Sequence, residues 1–219
     1  MPRALFEKTG MAAYISHLDL MRLFQRSFKR AGLPLTHTKG FNPRPSVSIA
    51  LPMSLGTESV CELLDFELET DGLSFEEIKD RLNQNLTDGV RILDVYDNGS
   101  KLKHLAYLAC ELTMEYDFGV PVDGLDRIRK LFALPELIVE KKGKNGITEQ
   151  NISPMIQSMR LEILNPNELR LSAKICCQNP TLNPSLIVAA ISKYLPDCAP
   201  DFVRICRREI YNTNQVIFR

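Results

Sequence analysis

Between Val47 and Leu55 every second residue is apolar, Val47, Ile49, Leu51, Met53 and Leu55, with Ser48, Ala50, Pro52 and Ser54 in between. A period of two gives a chain one face to bury and one to solvate, so this stretch is expected as a half-buried strand rather than a helix. Pro52 has no N–H for a ladder and places that strand at a sheet edge. Gly56-Thr57-Glu58-Ser59 is expected to turn the chain into a second strand, in which Leu64, Phe66 and Leu68 alternate with Asp65, Glu67 and Glu69. Helical patterns flank the pair. Ser16 with Asp19 three residues on starts a helix that Gly32-Leu33-Pro34 stops near Ala31, and Ser74 to Leu86 is apolar at Phe75, Ile78, Leu82 and Leu86. With strands expected over 2–8 and Val90 to Tyr96, the order is βαββαβ, a ferredoxin-like unit.

The pattern restarts after Asp97-Asn98-Gly99-Ser100. Strands are expected over His104 to Phe118, Glu136 to Lys142, Glu168 to Cys176 and Phe202 to Tyr211, with helices over Gly124 to Leu134 and Pro184 to Leu195. The strand from Glu136 ends in a loop, Lys141-Lys142-Gly143-Lys144-Asn145-Gly146. Ile147 to Leu164 reads as irregular, with room for a short inserted helix. The expected fold class is therefore α+β, two ferredoxin-like (βαββαβ) units in tandem, the second less regular, with domains over 1–98 and 102–219. A length of 219 residues at 44% hydrophobic and 25% charged suits such a globular chain.

No run of 18 apolar residues occurs, and Met1 to Lys8 is not a signal segment. A cytoplasmic protein without a membrane partner is expected. Cys61, Cys110, Cys176, Cys177, Cys198 and Cys206 include no CxxC pair, so they read as reduced, mostly buried small hydrophobes. Nucleotide-loop, dinucleotide and HExxH patterns are missing as well. Neither a metal nor a cofactor is expected. The acidic run Glu58, Glu62, Asp65, Glu67, Glu69 and Asp71 reads as a solvated strand face rather than a metal site.

The 27 basic and 27 acidic side chains cancel, which excludes a uniformly basic coat. The cancellation hides opposed blocks. Residues 1–50 hold eight basic and two acidic groups, residues 51–100 three and twelve, and residues 101–219 sixteen and thirteen. On the first helix His17, Met21, Phe24, Phe28 and Ala31 share one stripe, and Arg22, Arg26, Lys29 and Arg30 lie opposite. The following loop, His37-Thr38-Lys39-Gly40-Phe41-Asn42-Pro43-Arg44-Pro45, adds two cations and an aromatic, so six cationic side chains and no carboxylate lie between Arg22 and Pro45. This is the composition of an anion site: Arg22, Arg26, Arg30, Lys39, Asn42 and Arg44 for phosphate, and Phe41 to stack a base. The competing reading is a rigid crossover loop with Phe41 in the core.

His17 and Asp19 are candidate catalytic residues, since a histidine oriented by a carboxylate works as a general base near pH 7. Capping by Ser16 and Asp19, with His17 on the packed stripe, is the alternative. Asp65, Glu67 and Glu69 are expected to repel phosphate from the sheet face, so a polyanion should approach from the helix and loop. Arg204, Arg207, Arg208 and Arg219 form a second, weaker basic cluster.

The segments Tyr14-Ile15-Ser16-His17-Leu18-Asp19-Leu20-Met21-Arg22, Arg30-Ala31-Gly32-Leu33-Pro34 and Lys39-Gly40-Phe41-Asn42-Pro43-Arg44-Pro45, with Ala50-Leu51-Pro52 and Leu55-Gly56, resemble the radical-SAM-linked protein family. The match is dense over roughly residues 5–70 and thin beyond. The resemblance implies a partner module, encoded beside a radical SAM protein or fused to its C-terminus. No radical SAM cluster motif occurs in the chain. The expected function is a non-catalytic accessory module of a radical SAM system that binds RNA or another phosphate-rich substrate through the basic helix and loop. Two alternatives stand beside it. One is a metal-independent RNA endonuclease using His17, by fold-level analogy with the RNA-processing endoribonucleases of CRISPR systems. The other is a pure protein-interaction subunit of the radical SAM protein.

Overall fold

A computed structural model describes residues 1–70, 72–97, 99–143 and 146–219. Asp71 of the acidic run, Asn98 of the expected boundary, and Lys144 and Asn145 of the expected loop lie outside the described residues. The fold class is α+β, with four α-helices among the described residues. The chain divides into two compact units, Met1–Lys103 with Arg219, and His104–Phe218.

In the first unit β1 (Arg3–Lys8), α1 (His17–Arg30), β2 (Val47–Ile49), β3 (Thr57–Phe66), α2 (Phe75–Asn83) and β4 (Val90–Tyr96) follow one another. β1 lies between β4 and β3, and β2 pairs with β3; every pairing is antiparallel. The first helix forms as expected. Ser16 Oγ accepts the Asp19 amide at its start. At its end Gly32 takes φ +67°, the Gly32 amide bonds Lys29 O and the Leu33 amide bonds Phe28 O, the paired closure that a left-handed glycine permits. Leu20, Phe24 and Phe28 are buried. Phe24 meets Phe6 of β1 edge-on at 4.9 Å, and Phe28 meets Phe66 of β3 at 5.0 Å. These rings join helix to sheet, each burying apolar area and adding about 0.5–1.5 kcal/mol of pair geometry.

The strand expected over Val47 to Leu55 is corrected. Pairing stops at Ile49, and Ala50 to Leu55 lie outside any strand, although Met53 is still buried. β3 starts at Thr57, inside the expected turn, and ends at Phe66.

In the second unit β5 (Leu105–Glu115), α3 (Gly124–Phe132), β6 (Ile138–Gly143), β7 (Gly146–Asn151), β8 (Ile156–Asn165), β9 (Glu168–Cys176), α4 (Ser185–Tyr194) and β10 (Phe202–Asn212) are found. The strands run β10-β5-β9-β8, all antiparallel, while β6 and β7 form a separate hairpin. Ile147 to Leu164 is therefore not irregular: it completes that hairpin and supplies β8. The expected inserted helix is only a 3-10 turn, Ser153–Met155. All six cysteines are outside disulfides, and all but Cys206 are buried. Burial pushes the Cys110 thiol up to about 12. Among the described residues no helix is long and apolar enough to cross a membrane.

Candidate functional site

α1 sets out the cations as its sequence spacing dictates. Arg22, Arg26 and Arg30 recur every four residues, one row along the exposed side of the helix. They line a groove of about 390 Å³ with Ile15, Leu23 and Asp19. Asp19 is engaged: it accepts from Ser16 Oγ at 2.7 Å and pairs with Arg22 at 2.9 Å. The Ser16 hydroxyl first, and Arg22 second, hold its carboxyl below the usual aspartate range. Among the described residues Arg26, Lys29, Arg30, Lys39 and Arg44 enter no ion pair.

Residues 34–46 form a narrow hairpin-like excursion. Its base is held by Thr36 N–H to Glu67 O, Ser46 N–H to Thr36 O, Glu67 N–H to Ser46 O and Glu69 N–H to Pro34 O, all within 2.8–3.0 Å. Farther out, His37 bridges Pro45, the Thr38 amide bonds Arg44 O and the Arg44 amide bonds Thr38 Oγ1. Lys39 to Arg44 are all exposed at the tip, with Gly40 at φ +146°. Phe41 is fully exposed at 103%, which overturns the reading that buries it in the core.

The carboxylates do not form the free repelling face expected of the sheet. Asp65 receives the Arg3 guanidinium as a fork, at 2.5 and 3.1 Å, with both side chains largely buried. Glu67 accepts from Thr36 Oγ1 at 2.9 Å, and Glu69 Oε1 stands 4.0 Å from His37 Nδ1; both brace the hairpin base beyond the end of β3. Glu58 accepts the Gly10 amide, and Glu62 is buried. Among the described residues no three His, Cys, Asp or Glu side chains group closely enough to hold a metal. The C-terminal cluster is dispersed as well: Arg204 pairs with Glu115 and Glu168, Arg208 pairs with Glu111, and Arg207 is buried.

Between the end of α1 and the hairpin base lies a cavity of about 460 Å³. Phe28, Leu33 and Leu35 form its apolar floor, Pro34 and Pro45 flank it, and Gln25, Lys29, His37 and Glu69 line its rim. The sequence pattern grouped Lys29 with the arginines, put His37 in the following loop and Glu69 on an acidic strand face, and left Gln25 unassigned. The signal was present in part, since Gln25 and Lys29 are four apart on one helix. Glu69 joins them only through its pairing with Pro34, which nothing local announces.

His17 is half-buried in the first turn of α1, with Nδ1 buried and unbonded. Lys29, at the hairpin end, is twelve residues farther along, about 18 Å of helical rise. The structure thus gathers Arg22, Arg26 and Arg30 with Asp19 in one groove, and places the hairpin carrying Lys39, Phe41, Asn42 and Arg44 at the other end of α1 from His17.

The family model described as "Uncharacterized protein conserved in bacteria (DUF2344)" matches residues 2–184. The chain belongs to this family. The matched span of DUF2344 includes α1, the hairpin and the cavity. No curated protein matches the chain. Among solved structures, a chain from the crystal structure of a Cbf5-Nop10-Gar1 complex is 9% identical, with a TM-score of 0.49 over 96% of this chain and 48% of that one. The DUF2344 chain thus spans about half the length of that relative. An unknown protein from Galdieria sulphuraria is 11% identical, with a TM-score of 0.26 over 94% of this chain and 96% of that one.

Proposed function

We propose that this chain is a non-catalytic accessory module of a radical SAM system that binds RNA, or another phosphate-rich substrate, through α1 and the 34–46 hairpin. The observation that carries the reading is the row Arg22, Arg26 and Arg30 along an open groove, whose one lining carboxylate, Asp19, is already matched to Arg22. Arg26 and Arg30 are left with their charge facing water, and they are suited to phosphate by fork geometry and permanent ionisation. Lys39 and Arg44 extend the cationic surface, Asn42 adds a hydrogen-bonding group, and Phe41 offers an open ring for stacking. The radical SAM partnership rests on the sequence resemblance over the first 70 residues or so. In this reading both units are ferredoxin-like, which their strand orders support.

Filter binding of bulk tRNA by the full chain at about 50 and 200 mM salt tests the RNA-binding half of the proposal. Counterion release predicts affinity falling by about tenfold or more between the two conditions. The R26E/R44E double variant is expected to lose most of the low-salt binding. Salt-insensitive retention, no retention at either salt, or full binding by the double variant overturns it.

A further inference from the structure

We propose that the cavity at the end of α1 receives one unstacked nucleobase of the bound RNA strand; this rests on the reading of α1 as a phosphate track. About 460 Å³ falls within the range of small-ligand pockets, roughly 300–1,000 Å³. Its composition narrows the ligand. Leu33 and Leu35 are buried beneath it and Pro34 and Pro45 flank it, giving an apolar slot suited to a ring. The rim supplies both hydrogen-bonding senses: the Gln25 amide donates and accepts, and the Glu69 carboxylate accepts. A purely aliphatic ligand would leave those groups without partners, at a cost. An anion inside the cavity would meet Glu69. A neutral heterocycle with an amino group on its edge satisfies the slot and the rim together, and bases splayed from single-stranded RNA are recognised in this way.

Helix geometry connects the cavity to the track. Gln25 and Lys29 form one row on α1, and Arg22, Arg26 and Arg30 form another, about 60–100° around the helix. A strand with phosphates on the arginine row passes Lys29 at the rim, close enough to turn one base inward.

The test compares two single strands of about ten nucleotides, an oligoadenylate and an abasic ribose-phosphate chain of equal length, binding to the full chain in low salt. Adenylate is expected to bind about tenfold tighter, the scale of one well-placed base. Gln25 is half-buried on the helix, so Gln25→Trp fills the cavity and Gln25→Leu keeps its size while removing the edge hydrogen bonds. Gln25→Trp should cut the difference between the strands to the part that stacking on Phe41 supplies, and Gln25→Leu should narrow it, with abasic binding unchanged in both. Equal binding of the two strands by the unaltered protein overturns the base pocket and leaves the phosphate track standing. A preference for adenylate that both Gln25 substitutions leave undiminished also overturns the pocket and leaves base contact to Phe41 alone. Failure of both strands to bind overturns the pocket and the track together.

Discussion

Asp19 does three things at the start of α1, one with its amide and two with its carboxylate. Its amide donates to Ser16 Oγ to close the cap, its carboxylate accepts a hydrogen bond from the Ser16 hydroxyl, and the same carboxylate pairs with Arg22 at the mouth of the groove. Because the folded state lowers its pKa, this contribution to stability is present above the ordinary aspartate range near pH 3.9 and is lost as pH falls through the lowered folded value. The first turn of α1 should therefore loosen only in strong acid. Removing the first cause is the clean test: Ser16→Ala should raise the Asp19 titration midpoint toward that of a free aspartate, read from the side-chain carboxyl carbon by NMR. An unchanged midpoint would mean that Arg22 alone sets it. Arg3 and Asp65 show the opposite use of charge, a forked pair sunk into the sheet, where its role is to hold β1 against β3 rather than to bind a ligand.

At the scale of elements, α1 and the hairpin differ in what specifies them. The helix is local: cap, apolar spacing and glycine stop all lie within residues 16–32, and each was legible. β4 and β9 match their expected spans for the same reason, since alternation and turn residues bound them on both sides. The 34–46 hairpin is set by partners some thirty residues away, Glu67 and Glu69, and no pattern within it announces them. The same distinction explains the shortened β2. Alternation from Val47 to Leu55 records which side chains face inward, and Met53 does so, but a backbone ladder needs a partner at every step and pairing with β3 reaches only Ile49 against Leu64. The cationic residues were therefore legible and the cavity beside them was not. The hairpin tip also separates function from stability. Phe41 lies in solvent, so Phe41→Ala should change unfolding stability by less than about 0.5 kcal/mol in a urea titration. Its affinity for single-stranded RNA should nevertheless fall about fivefold or more, the loss of one stacked base. A large stability loss, or unaltered affinity, contradicts the role assigned to the tip.

For the molecule as a whole, zero net charge is the property most easily misread. A neutral protein has no long-range pull on a polyanion, yet within a Debye length of about 8 Å only the local surface counts. Arg26 and Arg30 of the row on α1, with Lys39 and Arg44 of the hairpin tip, present cations without ion pairs among the described residues, whereas Arg204 and Arg208 are matched to carboxylates and contribute little field. Two double variants with identical total charge separate local from global electrostatics. R26E/R44E reverses two charges on the first unit; K130E/R160E reverses two exposed charges on the second. If overall charge governed binding, both would weaken RNA affinity equally. Local recognition predicts that only R26E/R44E does so, and that it flattens the plot of log affinity against log salt by about 0.7 for each phosphate contact removed. K130E/R160E should keep the slope of the unaltered protein, since its charges lie outside the surface that meets the strand. Equal losses in the two variants would assign the attraction to the molecule's overall field and remove α1 from its special role.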